Sequence, residues 1–217
     1  MAESTRDIKR HIKGINSIKQ ITKAMELVAS ARLKRARDRL QMTRPYYNTV
    51  YESIMEVLNQ VGNVDHPYLK VRDVKNSLYI VVTADRGLAG GFNSNINRLV
   101  ESEIKDNKDN VSLIVVGTKG RDYFKKRDYN IVADFVGMTE NPSFAHARNI
   151  ANIVLEAYRQ GQVDEVKIVY TEFISTITQK PKVLKLLPSD SLKAEGKREK
   201  RAIVEFEPSS DEVLDYL

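Results

Sequence analysis

The 217-residue sequence contains no cysteine. This excludes a disulfide framework, a thiolate metal site, a catalytic cysteine and any thiol redox switch. No run approaches the ~18 consecutive apolar residues that a membrane helix needs. The opening stretch, MAESTRDIKRHIKG, lacks the apolar segment of a secretory signal. The chain is therefore expected to be soluble and cytoplasmic, and to reach a membrane only through a partner. Histidine is scarce: His11, His66 and His146 are the full set. None has a second histidine or an acid at metal-ligand spacing. No serine sits in a G-x-S-x-G elbow, and no catalytic constellation is visible. What is present is 41% apolar and 29% charged. That is enough to build a core, and the length suits one domain or a small domain with an appendage.

The net charge of +6 is unevenly spread. Residues 1–44 hold twelve Lys and Arg against four acids, while the rest holds 23 basic and 25 acidic residues. A near-neutral body with a basic arm suits an anionic partner. Nucleic acid, anionic lipid and an acid-lined protein cavity all fit that charge. Residues 1–44 lack the aromatics that stack on bases, and their apolar positions form a narrow seam rather than the broad face of a lipid-binding helix.

The arm has helical periodicity. One proline, Pro45, lies between Arg6 and Val61, and Gly14 and Gly62 bracket most of the stretch. Leu33, Ala36, Leu40, Thr43, Tyr47, Val50, Ile54, Val57 and Val61 alternate in steps of three and four, a heptad rhythm. Ile8, Ile12, Ile15, Ile18, Ile21, Met25 and Val28 form a wider stripe that drifts around the helix. The pattern predicts one helix of roughly 80 Å at about 1.5 Å per residue. Proline inside a helix costs about 3 kcal/mol, but the heptad phase is unbroken from Thr43 to Tyr47. A kink is expected there rather than a break. Such a seam must be covered, and residues 63–217 hold no second heptad segment. The covering helix is expected in another chain or outside this sequence; otherwise one end of the arm folds back on the body.

The body alternates strand and helix. Ser77–Ala84, Val111–Gly117, Asn130–Val136 and Glu165–Phe173 read as strands, the first two as near-continuous apolar runs covered on both faces. Asn95–Lys105, Lys119–Arg127 and Phe144–Arg159 read as helices, with Gly161 as a C-cap. Ile177–Leu187 and Ala202–Phe206 look like antiparallel additions, with a charged hairpin or loop at Leu192–Arg201. The order predicts an α/β, Rossmann-like domain: a mostly parallel sheet with helices on both faces. Pro208–Glu212 is a helix start signal, followed by only about two turns of amphipathic pattern. It reads as the entrance to a second long helix.

Two loops could hold an anion. Thr83–Asn93 is a glycine-rich strand-to-helix turn, but its Gly-x-x-Gly-Gly spacing is neither G-x-G-x-x-G nor a P-loop. Gly117–Arg121 opens a helix after the second strand. For both, glycines that permit tight turns and close packing are the simpler reading.

Two stretches carry a resemblance. Ile15–Ala29 (INSIKQITKAMELVA) and Asp85–Asn93 (DRGLAGGFN) closely resemble the signature stretches of the gamma subunits of rotary ATP synthases. Phe206-Glu207-Pro208-Ser209 resembles the segment leading into that family's C-terminal helix. The likeness covers essentially the whole chain in order. Ala89 stands where the family usually has cysteine, and Gln20 where it usually has lysine, with Lys19 one place earlier. The family's long C-terminal helix does not follow Leu217, and the cysteine pair of the redox-switched chloroplast form is absent.

The resemblance implies a central-stalk rotor. In that family two terminal helices wind into an antiparallel coiled coil inside a ring of alpha and beta subunits. The α/β domain projects toward the membrane and binds the epsilon subunit and the c-ring. Proton-driven rotation of the ring turns the shaft, which biases each beta subunit in turn toward ATP synthesis or hydrolysis. The resemblance implies no catalytic residue, cofactor or metal in this chain, no nucleic-acid partner, and a peripheral place on the cytoplasmic side of the cell membrane through the complex. By motif position, Lys23 and Met25 are implied to face the lever regions of beta, and Arg32, Lys34, Arg35 and Arg39 its acidic loops. The expected seam is Ile15, Ile18, Met25, Val28, Leu33, Leu40, Tyr47, Val50 and Ile54. Asp85, Arg86, Gly87, Gly90, Gly91 and Asn93 form the signature loop, implied to be structural or an interface with neighbouring subunits. The expected organisation is a shaft helix over 1–62, a linker over 63–76, an α/β domain over 77–206 and the start of a C-terminal helix over 207–217.

Overall fold

A computed structural model describes residues 4–61, 66–105 and 107–189. These fall into two compact units, one reaching Val57 and the other starting at Leu58. The first unit is formed by helix α1 as far as Val57; the helix itself, Thr5–Val61, runs unbroken through Pro45. Proline deprives the Gln41 carbonyl of its partner four residues on. Nearby, the Thr43 hydroxyl donates to the Arg39 carbonyl at 3.0 Å. At about 1.5 Å per residue the helix is roughly 85 Å long.

The second unit contains a five-stranded sheet in the order β3-β2-β1-β4-β5. Its strands are β1 (Ser77–Val82), β2 (Val111–Val116), β3 (Asn130–Phe135), β4 (Glu165–Phe173) and β5 (Gln179–Leu187). β1, β2, β3 and β4 are parallel, and β5 is antiparallel to β4. Three helices join them: α2 (Phe92–Ile104), α3 (Thr118–Lys125) and α4 (Phe144–Arg159).

Strand alternation sorts the core. Tyr79 and Val81 of β1 pack with Ile96, Val100 and Ile104 of α2 and Phe124 of α3 on one face. Leu78 and Ile80 pack with Val154 and Tyr158 of α4 on the other. Each such large side chain contributes about 1.5–3 kcal/mol on burial. β1 is thus apolar in succession because both its faces are covered, as its sequence predicts.

The expected helices shift at their starts. α2 begins three residues before the expected Asn95, because Gly91 caps it and its carbonyl receives the Asn95 amide at 2.8 Å. α3 begins at Thr118, where an acidic side chain receives the first amide. α4 has the expected bounds. It ends in a Schellman motif: Gly161, at φ 70°, donates to Tyr158 and Gln162 donates to Ala157. The pairing of β1 with β4 ends at Val81–Val169, so Tyr170–Phe173 and Gln179–Lys182 continue as a two-stranded ribbon. Ala202–Phe206, Leu192–Arg201, the helix start at 207–217 and residues 63–65 of the expected linker lie outside the described residues.

Candidate functional site

Two surfaces hold the residues singled out above. The first is α1. Seam residues Ile15 and Ile18 are each 64% exposed, and Met25, Val28, Leu33, Leu40 and Tyr47 are also exposed. Val50 and Ile54 are half-buried. Exposed apolar stripes of this length commonly mark interaction sites.

At roughly 100° per residue, the predicted contact residues separate into two sets. Met25, Arg32, Arg35 and Arg39 share one side: Met25 within the apolar seam, Arg32 and Arg39 beside it and Arg35 farther round. Lys23 and Lys34 lie across the helix from them. Lys23 forms an exposed ion pair with Glu26 at 3.0 Å. Arg32 and Arg39 therefore edge the seam, where they can meet acids on whatever covers it, while Arg35 lies farther round the helix.

The second surface is the signature loop, built around Asp85 at the carboxyl end of β1. Asp85 Oδ1 accepts from the Thr118 amide and hydroxyl, both at 3.0 Å, and from the Gly137 amide at 2.9 Å. Oδ2 accepts from the Thr139 amide at 3.1 Å and hydroxyl at 2.6 Å. Partial burial pushes the carboxyl's pKa up. The bonds from Thr139, Gly137 and Thr118 outweigh that and hold it well below the usual carboxylate range. Five donors exceed the roughly four lone-pair sites of a carboxylate. Asp85 is thus committed to joining three loops and is not placed as a general base.

The rest of the loop is held by similar means. Asn93 Oδ1 accepts from the Ala84 amide at 2.9 Å. Gly90 adopts a φ of 56° that favours glycine. Arg86 reaches Glu140 at 2.7 Å in an exposed ion pair, a contact worth under about 1 kcal/mol. Between these anchors Leu88 sits at φ 61° and is 96% exposed.

The second candidate anion loop is explained by packing. The buried Thr83 hydroxyl donates to the Val116 carbonyl at 2.8 Å and accepts from the Gly120 amide at 2.9 Å. A Cβ on Gly120 would lie 2.7 Å from that hydroxyl, and one on Gly117 would lie 2.5 Å from the Thr83 carbonyl. Both glycines are needed for close approach.

The histidines are scattered. His11 is exposed on α1, His66 is buried beside Tyr68, and His146 completes the capping box of α4 with Ser143. Among the described residues no cluster of three metal-ligating side chains forms, and no helix is long and apolar enough to cross a membrane.

Sequence reasoning missed Thr118, Gly137 and Thr139 as partners of Asp85, since they lie 33 to 54 residues away. It also passed over Leu88, Phe144 and Ile177, all strongly exposed: Leu88 and Ile177 on the connections that follow β1 and β4, and Phe144 as the first residue of α4.

Known proteins share this arrangement. A family profile described as ATP synthase matches residues 4–217. The ATP synthase gamma chain of Alkaliphilus metalliredigens is 47% identical over 221 residues, which cover all of this chain and 76% of its own length. The sodium-ion-specific ATP synthase gamma chain of Acetobacterium woodii is 42% identical, covering all of this chain and 77% of its own. The cryo-EM structure of the Tetrahymena thermophila mitochondrial ATP synthase central stalk and c-ring has a matching chain. It superimposes with a TM-score of 0.67 at 26% identity, covering 90% of this chain and 84% of that one. None of these relatives is named as a nucleic-acid-binding protein, so the alternative reading of the basic arm finds no support among them. A long exposed helix, a mixed sheet of this order, a signature loop anchored by Asp85 and relatives of these names agree: the chain belongs to the ATP synthase gamma chain family.

Proposed function

We propose that this chain is the central-stalk rotor subunit of a rotary ATP synthase and is not itself catalytic. The observation that carries the reading is α1: 57 residues of unbroken helix with an apolar seam exposed along most of it. Covered by a second helix, that seam becomes a shaft stiff enough to transmit rotation. The shaft turns inside the alternating alpha and beta subunits, and the α/β unit meets epsilon and the c-ring. The protein then sits at the cytoplasmic side of the cell membrane through the complex. We assign the shaft to residues 1–62, the joining segment to 63–76, the α/β domain to 77–206 and the start of a second helix to 207–217.

The mechanism is a population shift. A rotor that contacts each beta subunit differently at each angle biases it among states that bind ADP and phosphate, form ATP or release it. Met25, Arg32, Arg35 and Arg39, grouped on one side of α1, suit that contact. Lys23 and Lys34 suit a neighbour on the opposite side. Desolvated arginines facing acids would set angular register more than bulk affinity. The signature loop, with Asp85, Arg86, Gly87, Gly90, Gly91 and Asn93, holds Leu88 outward for a neighbouring subunit. Reconstitution tests the reading. The chain mixed with alpha and beta subunits should yield a complex that rotates on ATP hydrolysis. A chain that never enters the complex would refute it.

A further inference from the structure

The Gly117–Arg121 loop, open to an anion by its sequence, does receive one: the chain's own Asp85 carboxylate. Thr118 donates through its amide and its hydroxyl, both at 3.0 Å, and Gly137 through its amide at 2.9 Å. Thr139 donates through its amide at 3.1 Å and its hydroxyl at 2.6 Å. Gly137 adopts a φ of 77°, in the left-handed region that favours glycine. Thr118 is the first residue of α3, so the positive end of that helix meets the charge. Arg121, one turn on, is close enough to feel the charges of Asp85 and Asp134. The donors follow the ends of β2 and β3, and the carboxylate follows the end of β1. Open α/β sheets bind their ligands on this side, outside the carboxyl ends of the strands.

The donors are held in place by bonds that do not involve the Asp85 side chain. The Thr83 amide donates to the Val116 carbonyl and the Gly117 amide to the Phe135 carbonyl, both at 2.8 Å, and the Lys119 amide donates to the Ala84 carbonyl at 3.0 Å. The buried Thr83 hydroxyl adds its bonds to Val116 and Gly120. The exits of β1, β2 and β3 are thus locked together by the backbone. Even the Thr139 hydroxyl is oriented independently, because it accepts from the Asp85 amide at 3.2 Å. Hydroxyls can turn away from an empty place, but the three amides cannot. Asp85, Thr118 and Thr139 are only half-buried and Gly137 is exposed, so a small ion can reach the position from water. These donors recognise charge and oxygen geometry, and neither requires a covalent tether to the chain.

We propose that the ends of β1, β2 and β3 form a preformed carboxylate-binding site, which Asp85 fills as an internal ligand in place of a free carboxylate ion. Asp85→Ala in the full chain empties the site and leaves the backbone bonds standing. Its Tm is read in sodium acetate against sodium chloride of equal ionic strength at neutral pH, with the wild-type chain alongside. Acetate at roughly tenfold its dissociation constant should raise the Tm of the variant by about 4–7 °C, and should leave the wild type where chloride leaves it. In spectra of the isotope-labelled variant, the Thr118, Gly137 and Thr139 amide signals should move with acetate and saturate as one site. Asp85→Asn, whose amide still fills the place, should respond far less. Folding of Asp85→Ala in acetate but not in chloride would also support the site. An equal response of variant and wild type would overturn it. So would a variant that stays unfolded in both salts, since the donors would then not keep their places without Asp85.

Discussion

Replacing Asp85 with asparagine keeps the size of the side chain and removes its charge. The best placement of the new amide keeps its oxygen toward Thr118 and Gly137, the three-donor side. The –NH2 group then faces the Thr139 amide, a donor against a donor. One charge-assisted set is weakened and one N–H loses its acceptor, at a combined cost of about 2–3 kcal/mol. For a unit of this size each kcal/mol moves Tm by roughly 3–5 °C, so a fall of about 6–15 °C is expected. Near-ultraviolet circular dichroism of the full chain is the assay, because Tyr68, Tyr79, Tyr123, Tyr129, Tyr158 and Tyr170 all lie in the α/β unit. Acid supplies a second arm. The folded carboxyl is held below its unfolded value of about 3.9, so its stabilisation is complete above that pH and fades as pH falls further. Asp85→Asn cannot titrate there, so the gap between the two proteins should narrow below about pH 4. An unchanged Tm at neutral pH, or a gap that widens in acid, would refute Asp85 as the pin of this edge.

Gly120→Ala should destabilise the α/β unit by about 1–3 kcal/mol in urea titration, through overpacking against Thr83 and Val115. Gly117→Ala should cost more. Its φ of 94° adds backbone strain, and its Cβ would meet the Thr83 carbonyl rather than a movable side chain. Leu88→Gly should change the Tm of the isolated chain by less than about 1 kcal/mol equivalent, since relief of positive-φ strain offsets the entropy of glycine. Met25→Lys should leave the isolated chain as stable as wild type, because Met25 is exposed there. In the complex it should lower the ATP made per ion translocated, and an unchanged yield would remove Met25 from the contact surface.

What the sequence made legible was local and periodic. The heptad steps from Leu33 to Val61 foretold α1, because a seam repeating at every turn is visible without knowing what covers it. The runs at Ser77 and Val111 foretold strands covered on both faces, and the phase of Phe144–Arg159 located α4 to the residue. Long-range polar bonds were not legible. Nothing near Asp85 in the chain points to Thr139, and nothing near Asn76 points to Asp164. Such pairs exist only once β1, β3 and β4 lie in one sheet. The segment 66–76, where Arg72 donates to the Tyr158 carbonyl and the Asp164 carboxylate accepts from the Lys75 and Asn76 amides, was hidden for a related reason. Its mixed polar composition reads as a solvated linker, while arginine and tyrosine bury their apolar bodies with their polar ends bonded. The start of α2 was misplaced because glycine, a weaker signal than serine or aspartate, serves as its cap.

The central claim is that this chain is the shaft of an ATP synthase. Affinity recovery of the tagged native protein at physiological salt, with mass spectrometry of everything bound, tests it most directly. The account predicts alpha, beta and epsilon subunits in the eluate. Nucleic acid without any ATP synthase subunit would contradict it.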